Sequence, residues 1–275
     1  MSDPLRHIEG ADSPVTTRER ILPGRSIAIA SGKGGVGKTT FAANLSVLAA
    51  EADRDVLLAD FDLGLANLDV VFRLDPGETL RDVLRGTPVE QCVRRGPRGI
   101  RILPASSGHR EMAQLASDEV GQLLTQIGRI APAPDVTILD VAAGIGDGVI
   151  EALLATDDVV IVTTPDPSAI TDAYALIKVL AGLGRTDGLH LAVNLASSRS
   201  EAFHTASKIS RAAESFLSLD LQNFTWLGRQ RTVTRASLSQ RLFVESDPTS
   251  EAAHSLRFLA SRLLGSDTAH GGGVS

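Results

Sequence analysis

The sequence has almost no cysteine, no long apolar run and no excess of positive charge. Cys92 is the single cysteine, which excludes an internal disulfide framework and fits a reducing cytosol. No run of about 18 apolar residues could span a membrane, and Met1–Gly10 lacks the apolar core of a signal peptide. The formal net charge of -6 argues against a surface built as a whole to hold nucleic acid, although a local basic patch stays open. We therefore expect a soluble, cytoplasmic protein.

The order of apolar runs predicts an α/β fold, because short runs with the length of buried strands alternate with longer helical stretches. Strands that are apolar on both faces and alternate with helices indicate a mostly parallel sheet with helices on both faces. The predicted strands are Ser26–Ala30, Val56–Ala59, Ile100–Leu103, Val136–Leu139, Val159–Val162, Leu189–Asn194 and Phe224–Leu227. The main predicted helices are Phe41–Ala50, Glu111–Ile130, Ala169–Ala181, Glu201–Leu217 and Glu251–Leu264.

The segment Ser31–Thr40 reads SGKGGVGKTT and lies between the first predicted strand and the first predicted helix. It matches the pattern G-x-x-x-x-G-K-[ST], in which glycines let backbone N–H groups converge on phosphate oxygens. Lys38 would reach the β- and γ-phosphates, and the Thr39 hydroxyl would bind Mg²⁺. A plain glycine turn before a helix is the alternative, and the flanking strand and helix disfavour it. The predicted phosphate-binding residues are Gly32, Lys33, Gly34, Gly35, Val36, Gly37, Lys38, Thr39 and Thr40.

Three aspartates follow predicted strands and are candidates for metal and water binding. Asp60 and Asp62 are two positions apart at the end of a strand, so their side chains can point to the same side. Near a phosphate-binding loop they would converge on Mg²⁺ and on the water that attacks the γ-phosphate. Asp140 ends another strand in the manner of a Walker B acid, which holds Mg²⁺ through a water. Their alternative role is to cap loops, since aspartate readily accepts backbone N–H bonds in turns.

These motifs resemble the MinD/ParA group of ATPases, whose deviant Walker A loop carries a second lysine, here Lys33. Within that group the chain is most similar to the flagellar-number regulators of the FlhG family (also called FleN or YlxH), over about Arg25–Leu264. The segments that carry the resemblance are SGKGGVGKTT, ADFDLGLANLDVVFRLDP, TLRDVLRG, RGIRILPASSG, ILDVAAGI and VVIVTTPDPSAITDAYALIKVL. The resemblance implies a MinD-like P-loop ATPase domain at residues 25–265. We interpret residues 1–24 as a flexible arm and residues 266–275 as a disordered tail.

The resemblance also implies a slow, Mg²⁺-dependent and partner-stimulated ATPase that forms a homodimer when ATP is bound. Lys33 would reach across the dimer to the partner's nucleotide and act with Lys38 and Asp62, which orients water, as the catalytic set. Thr39, Asp60 and Asp140 would hold the metal. Asn194 would hydrogen-bond the adenine, with a plain strand-end cap as its alternative.

Partners implied by the resemblance are a flagellar GTPase, a transcription regulator or switch components, whereas DNA is not expected as a ligand. Contact with the inner face of the cell membrane stays open. No basic amphipathic helix follows Glu251–Leu264, and the apolar spacing within that helix is more typical of packing against a core.

Two departures from the family's pattern leave details open. Val141-Ala142 stands where the family usually has a Thr-Gly or Ser-Pro pair, which leaves a non-hydrolysing nucleotide-binding scaffold as one alternative. Gly228-Arg229-Gln230-Arg231 replaces a Pro-Asp loop that closes over the base, so base selectivity is open. Division-site selection and DNA or cargo partitioning are further alternatives. A metal-cluster carrier on the same fold is disfavoured, because it needs paired cysteines and Cys92 stands alone.

Overall fold

The computed structural model describes residues 20–75, 77–105, 112, 115–221 and 223–265. Most of the predicted N-terminal arm and the whole predicted tail therefore lie outside the described residues. Within the described part, the predicted strands and helices form one sheet with helices packed on both of its faces. The α/β class predicted from the sequence is confirmed.

The sheet contains eight strands within the described residues, and every neighbouring pair is parallel except β3 with β4. The strands are β1 (Arg25–Ser31), β2 (Val56–Phe61), β3 (Arg94–Arg95), β4 (Arg101–Leu103), β5 (Val136–Ala143), β6 (Asp158–Thr163), β7 (Leu189–Ala196) and β8 (Asn223–Gly228). Their spatial order is β3-β4-β2-β5-β1-β6-β7-β8. Each predicted strand is present with slightly shifted bounds. The edge strand β3 was not predicted, because two arginines carry no apolar pattern.

The helices of the described chain are α1 (Lys38–Glu51), α2 (Leu68–Phe72), α3 (Leu80–Leu84), α4 (Val89–Cys92), α5 (Ser117–Gly128), α6 (Asp147–Leu154), α7 (Pro167–Gly182), α8 (Arg199–Leu217), α9 (Arg231–Leu238), α10 (Phe243–Ser246) and α11 (Glu251–Leu264). The short helices α2, α3, α4 and α10 were not predicted, because four or five residues are too few to show a helical period. Helix α6, with eight residues, was also missed.

The predicted helix Glu111–Ile130 is wrong at its beginning. Helix α5 begins only at Ser117, and its first turn carries two acidic residues. One of them, Glu119, accepts a hydrogen bond from the backbone N–H of Ala116 at 3.0 Å. This bond caps the N-terminus of α5 and fixes where the helix begins. Residues 111, 113 and 114 of the prediction lie outside the described residues.

Alternate residues of the central strands contribute to two separate cores. In β1, Ile27 and Ile29 pack with helices α1 and α11 on one face of the sheet. Ala28 and Ala30 belong to the other core, which contains the buried faces of α5, α6, α7 and α8. Side chains of a strand point alternately to opposite faces, so a strand that is buried on both sides must be apolar throughout.

Helix α11 packs against the core, in agreement with its apolar spacing. Leu256, Leu259 and Leu263 are buried, whereas Phe258 is 56% exposed. The Arg262 guanidinium lies 5.9 Å from the centroid of the Phe258 ring. None of the helices in the described residues is both long enough and apolar enough to cross a membrane.

A buried polar cluster joins the amino ends of three central strands, on the edge of the sheet opposite the phosphate-binding loop. The Asp158 carboxylate accepts hydrogen bonds from the Arg25 guanidinium, with Nε at 2.6 Å, and lies 2.9 Å from Nε2 of the buried His190. Burial favours the neutral acid, but the bonds from His190 and Arg25 outweigh it and hold the pKa of Asp158 below its usual value. The charge of Asp158 therefore stabilises the fold.

Replacing Asp158 with alanine is expected to lower the free energy of unfolding by about 1–3 kcal/mol at pH 7, because the buried ring nitrogen of His190 loses its hydrogen-bond partner. A group with a lowered folded pKa stabilises above its unfolded pKa of about 3.9, and that stabilisation is lost as the pH falls through the folded value. Urea unfolding should thus give a difference in the free energy of unfolding between wild type and Asp158→Ala. This difference should be constant near neutral pH and become smaller in acid. The exposed Asp187→Asn is the matched control, and an equal loss there would contradict the assignment.

Candidate functional site

The predicted phosphate-binding loop connects β1 to α1 at the carboxyl end of the parallel strands. Helix α1 begins at Lys38, so the N–H groups of its first turn lack helical acceptors and are available to an anion. Gly37, just before the helix, has a φ of 99°, in the left-handed region that favours glycine. Gly32 lies against α7, where an added Cβ would overlap the carbonyl group of Asp172. Backbone geometry therefore requires both glycines.

The other loop residues differ in their exposure. Gly34 and Gly35 are exposed at the tip, whereas Val36 is buried. Thr39 and Thr40 are half-buried in the first turn of α1. The tip therefore offers its backbone to solvent while the base of the loop is packed into the protein.

The two lysines of the loop lie in different surroundings. The Lys38 side chain is 7% exposed and its charge acts on the buried Asp140. Lys33 is 43% exposed at its side chain, and its Nζ lies 3.2 Å from Asp166 and also bonds the Ser168 hydroxyl at the beginning of α7. The sequence predicted different tasks for these lysines, and the structure gives them different environments.

Asp166 connects Lys33 to the beginning of α7. Its carboxylate accepts the backbone N–H groups of Ser168 at 2.9 Å and Ala169 at 3.2 Å, which caps the helix. Bonds from the Ser168 hydroxyl, the Ala169 N–H and Lys33 hold the pKa of Asp166 well below its usual range. Sequence reasoning missed this partner of Lys33, although an aspartate before Pro-Ser at the end of a strand is a typical signal for a helix cap.

Asp60 lies at the end of β2 and is fully buried. One of its oxygens accepts the N–H of Asp62 at 3.0 Å, and the other accepts the N–H groups of Asn67 at 3.0 Å and Leu68 at 3.1 Å. Burial, followed by the charge of Asp140, raises the pKa of Asp60 to about 8. Because both oxygens are used by backbone donors, this geometry favours the loop-cap alternative over direct metal binding.

Asp62 is half-buried and leaves its carboxylate less constrained. One of its oxygens accepts only a long bond, 3.3 Å, from the N–H of Leu65. The spacing of Asp60 and Asp62 predicted that both converge on Mg²⁺ and the attacking water, and the structure gives the two carboxylates different surroundings. Asp60 holds the loop and the beginning of α2, whereas Asp62 is the more available group.

Asp140 has the most unusual environment of the three aspartates. It is 1% exposed, and neither of its carboxylate oxygens has a hydrogen-bond partner of normal geometry. Burial raises its pKa to about 7, against the opposing influence of the Thr39 hydroxyl and the Lys38 ammonium nearby. Buried polar groups without partners are rare and need an explanation, such as an ion or a water that they bind.

A hydrated Mg²⁺ fits this donor set. Mg²⁺ is usually held by one or two carboxylates together with phosphate oxygens and several waters. No group of three or more His, Cys, Asp and Glu side chains that could hold a metal is found in the part of the chain that the structure describes. Asp140 and the Thr39 hydroxyl would therefore hold the ion together with a nucleotide, and the metal roles of Thr39, Asp60 and Asp140 stay predictions.

Asn194 braces the base of the phosphate-binding loop. Its Nδ2 donates to the carbonyl oxygen of Val36 at 2.8 Å, and its Oδ1 accepts the N–H of Leu195 at 2.9 Å. It is 5% exposed, and an added Cβ on Gly37 would overlap its amide. The carboxamide is thus used inside the protein, which favours the strand-end cap. Its predicted contact with adenine stays a prediction.

Exposed apolar side chains flank the site on the loops that follow β2 and β5. Leu65 is 74% exposed and Ile145 is 50% exposed. A groove of about 510 Å³ lies between these two loops, and Asp62 is one of its lining residues. Single exposed apolar residues are normal on a protein surface, and these two lie on the loop that carries Asp62 and on the loop that follows β5. Sequence reasoning gave no role to Leu65, whereas it placed Ile145 in a tight turn, Ala143-Gly144-Ile145, that could contact the γ-phosphate.

Residues 27–228 match the family model described as the CobQ/CobB/MinD/ParA nucleotide binding domain. The antiactivator FleN of Pseudomonas aeruginosa is 36% identical over 242 residues, covering 88% of this chain and 86% of that protein. The flagellum site-determining protein YlxH of Helicobacter pylori is 34% identical over 231 residues, covering 80% of this chain and 78% of that protein. The septum site-determining protein MinD of Pyrococcus horikoshii, solved with Mg-ADP, aligns with a TM-score of 0.71 at 27% identity, covering 87% and 96%.

The different surroundings of the two loop lysines predict different effects on nucleotide binding. Lys38→Ala is expected to weaken binding of Mg-ADP about tenfold to a hundredfold, because a charged hydrogen bond contributes about 1.5–3 kcal/mol. Lys33→Ala should leave the affinity within about twofold, since the pair that it loses is exposed and weak. Titration calorimetry on dilute, monomeric protein measures both constants, and an equal loss in the two variants would contradict the assignment.

The position of Asn194 predicts that its removal disturbs the loop rather than base recognition. In Asn194→Ala the carbonyl of Val36 loses its partner, so binding of ADP and of GDP should weaken by the same factor, about three- to tenfold. Competition titrations with both nucleotides check this. A loss confined to ADP would instead establish the contact with adenine that the sequence suggested.

Proposed function

Because the chain belongs to the CobQ/CobB/MinD/ParA nucleotide-binding family, we propose that it is an ATP-hydrolysing regulatory switch that controls flagellar number or placement. The observation that carries the proposal is the buried, unpartnered carboxylate of Asp140 beside Lys38 and Thr39. It supports binding of Mg-ATP. FleN and YlxH, whose names refer to flagellar regulation, are similar over most of their own lengths and support the setting. The MinD proteins leave division-site selection as the alternative.

Each predicted site residue has a definite task in this proposal. The backbone N–H groups of the loop and the Lys38 ammonium would hold the β- and γ-phosphates, and Thr39 and Asp140 would hold Mg²⁺, which neutralises phosphate charge. Asp62, the more available carboxylate, would orient the water that attacks the γ-phosphorus. The new P–O bond forms as the bond to the β,γ-bridging oxygen breaks, and ADP and phosphate leave.

The surroundings of Lys33 support a dimer in the ATP-bound state. Its ion pair with Asp166 is exposed on both sides, with side chains 43% and 53% accessible. Exposed pairs contribute little to stability, so a partner's phosphate, with more charge, would compete successfully for the ammonium. In the proposed dimer Lys33 would leave Asp166 and reach the partner's nucleotide, while Leu65 and Ile145 would be covered by the second copy.

The bound nucleotide can act as a switch only if partner proteins bind the ATP-bound and ADP-bound states of this protein with different affinity. The ATP-bound dimer and the ADP-bound monomer would present different surfaces, because the surface around Leu65 and Ile145 would be covered in one and open in the other. Protein partners that stimulate hydrolysis would thereby set the lifetime of the dimer. Contact with a membrane surface remains an open part of the proposal.

The proposal predicts a change of mass with nucleotide. Light scattering should give a monomer without nucleotide and a dimer with Mg-ATP, and Asp62→Ala should remain a dimer for longer because it binds ATP but does not orient water. Its rate of phosphate release should fall by at least about a hundredfold, given the usual contribution of a positioned proton acceptor. Lys33→Ala is the matched control, since it should bind nucleotide without forming the active dimer. A chain that binds ATP but stays monomeric and inactive would be a non-hydrolysing scaffold instead.

A further inference from the structure

A cationic cleft of about 620 Å³ lies outside the nucleotide site, between the end of α2, helix α9 and the end of α10. Arg73, Arg235 and Arg241 line it, and Asp247 is the one acidic residue among the lining residues of that cleft. We call it the arginine cleft. Arg235 and Arg241 are exposed, and no ion pair to a carboxylate is found for either within the described residues. Two arginines that face a cavity without an acidic partner are available to a ligand.

The charge of the arginine cleft is opposite to that of the whole chain. Three guanidinium groups and one carboxylate line the cleft, whereas the chain carries a formal net charge of -6. Holding like charges together is unfavourable unless an anion neutralises them. Arginine is also the side chain best suited to bind a carboxylate with two parallel hydrogen bonds. The cleft therefore favours an anionic ligand.

Arg73 connects the cleft to the loops of the nucleotide site. Its Nη2 donates to the carbonyl of Ser239 at 2.8 Å and its Nε donates to Oε1 of Gln240 at 3.1 Å, so it holds the turn that follows α9. Arg73 ends α2, which has five residues. The other end of α2 is held by Asp60 through the N–H groups of Asn67 and Leu68. One short helix thus joins a buried carboxylate of the site to one wall of the cleft.

We propose that the arginine cleft binds an acidic segment of a partner protein, and that α2 makes its affinity depend on the bound nucleotide. The dependence on nucleotide rests on the proposed function. A short acidic segment fits better than a nucleic acid. Charges are screened beyond about 8 Å at physiological salt, so a side chain in the cleft experiences mainly the arginines. A long polyanion would also meet the surrounding surface of a chain with net charge -6.

The first experiment tests the cleft without nucleotide. A fluorescein-labelled octaglutamate peptide is titrated with the protein, and anisotropy reports binding. Arg235→Ala combined with Arg241→Ala should weaken binding by at least about tenfold, as expected for two charged contacts. Arg211→Ala, which removes an exposed arginine of α8, is the matched control and should change it less than about twofold. Circular dichroism verifies that each variant is folded.

Three outcomes would overturn the cleft assignment. The peptide could fail to bind, or the control variant could lose as much affinity as the double variant. A single-stranded oligonucleotide of equal charge could bind more tightly than the peptide and lose its affinity in the same double variant, which would make the ligand a nucleic acid.

The second experiment tests the nucleotide dependence. The same titration with Mg-ADP and with a non-hydrolysable ATP analogue should give affinities that differ by at least about fivefold, the lower end of usual coupling. Arg73→Gln should make the peptide affinities with the two nucleotides nearly equal. ATP hydrolysis by Arg235→Ala should stay at the wild-type rate. Equal affinities in wild type, with both nucleotides shown to bind, would overturn the coupling alone. Failure of either nucleotide to bind would count against the proposed function, and the first experiment would stand.

Discussion

The burial of two carboxylates side by side is the constraint on which the site depends. Asp60 and Asp140 are direct neighbours in the register of β2 and β5, and both are removed from water. Burying a charge is costly unless it is paired or hydrogen-bonded, and a second charge nearby adds to that cost. Three backbone N–H groups offset this cost only in part at Asp60, because burial and the charge of Asp140 still raise its pKa. Asp140 has no such donors, so its ionised form needs a cation that the chain alone supplies only partly, through Lys38.

The base of the phosphate-binding loop is held by a buried contact, whereas Lys33 in the same loop makes only an exposed one. The base of the loop is held by the buried bond from Asn194 to Val36, and losing such a bond would leave a buried carbonyl without a partner. The exposed pair of Lys33 with Asp166 contributes little and can be exchanged. The proposed switch would use this combination, because its phosphate-binding loop would keep its shape in both nucleotide states while Lys33 exchanged Asp166 for a phosphate.

Local patterns determined most of what could be predicted. The strands, the phosphate-binding loop and the aspartates after β2 and β5 follow from residues close together in sequence. The roles that were missed depend on contacts across long distances in the chain: Lys33 and Asp166 are separated by 133 positions, and Asn194 meets Val36 across 158. Asp60 had two chemically sensible roles, and only the position of the N–H groups of α2 favours one of them. The short helices carried too little periodicity to be recognised.

The thiol content of the chain disfavours the alternative of a metal-cluster carrier. Cluster binding requires thiolates, and the sequence offers only Cys92. This residue is the last of α4 and is fully buried, and burial raises the pKa of its thiol to about 11. At neutral pH it is therefore a small apolar side chain of the core and an unsuitable ligand. The buried carboxylate of Asp140 beside the phosphate-binding loop would suit a hard cation with oxygen ligands, such as the Mg²⁺ of a nucleotide, better than a sulfur-bound cluster.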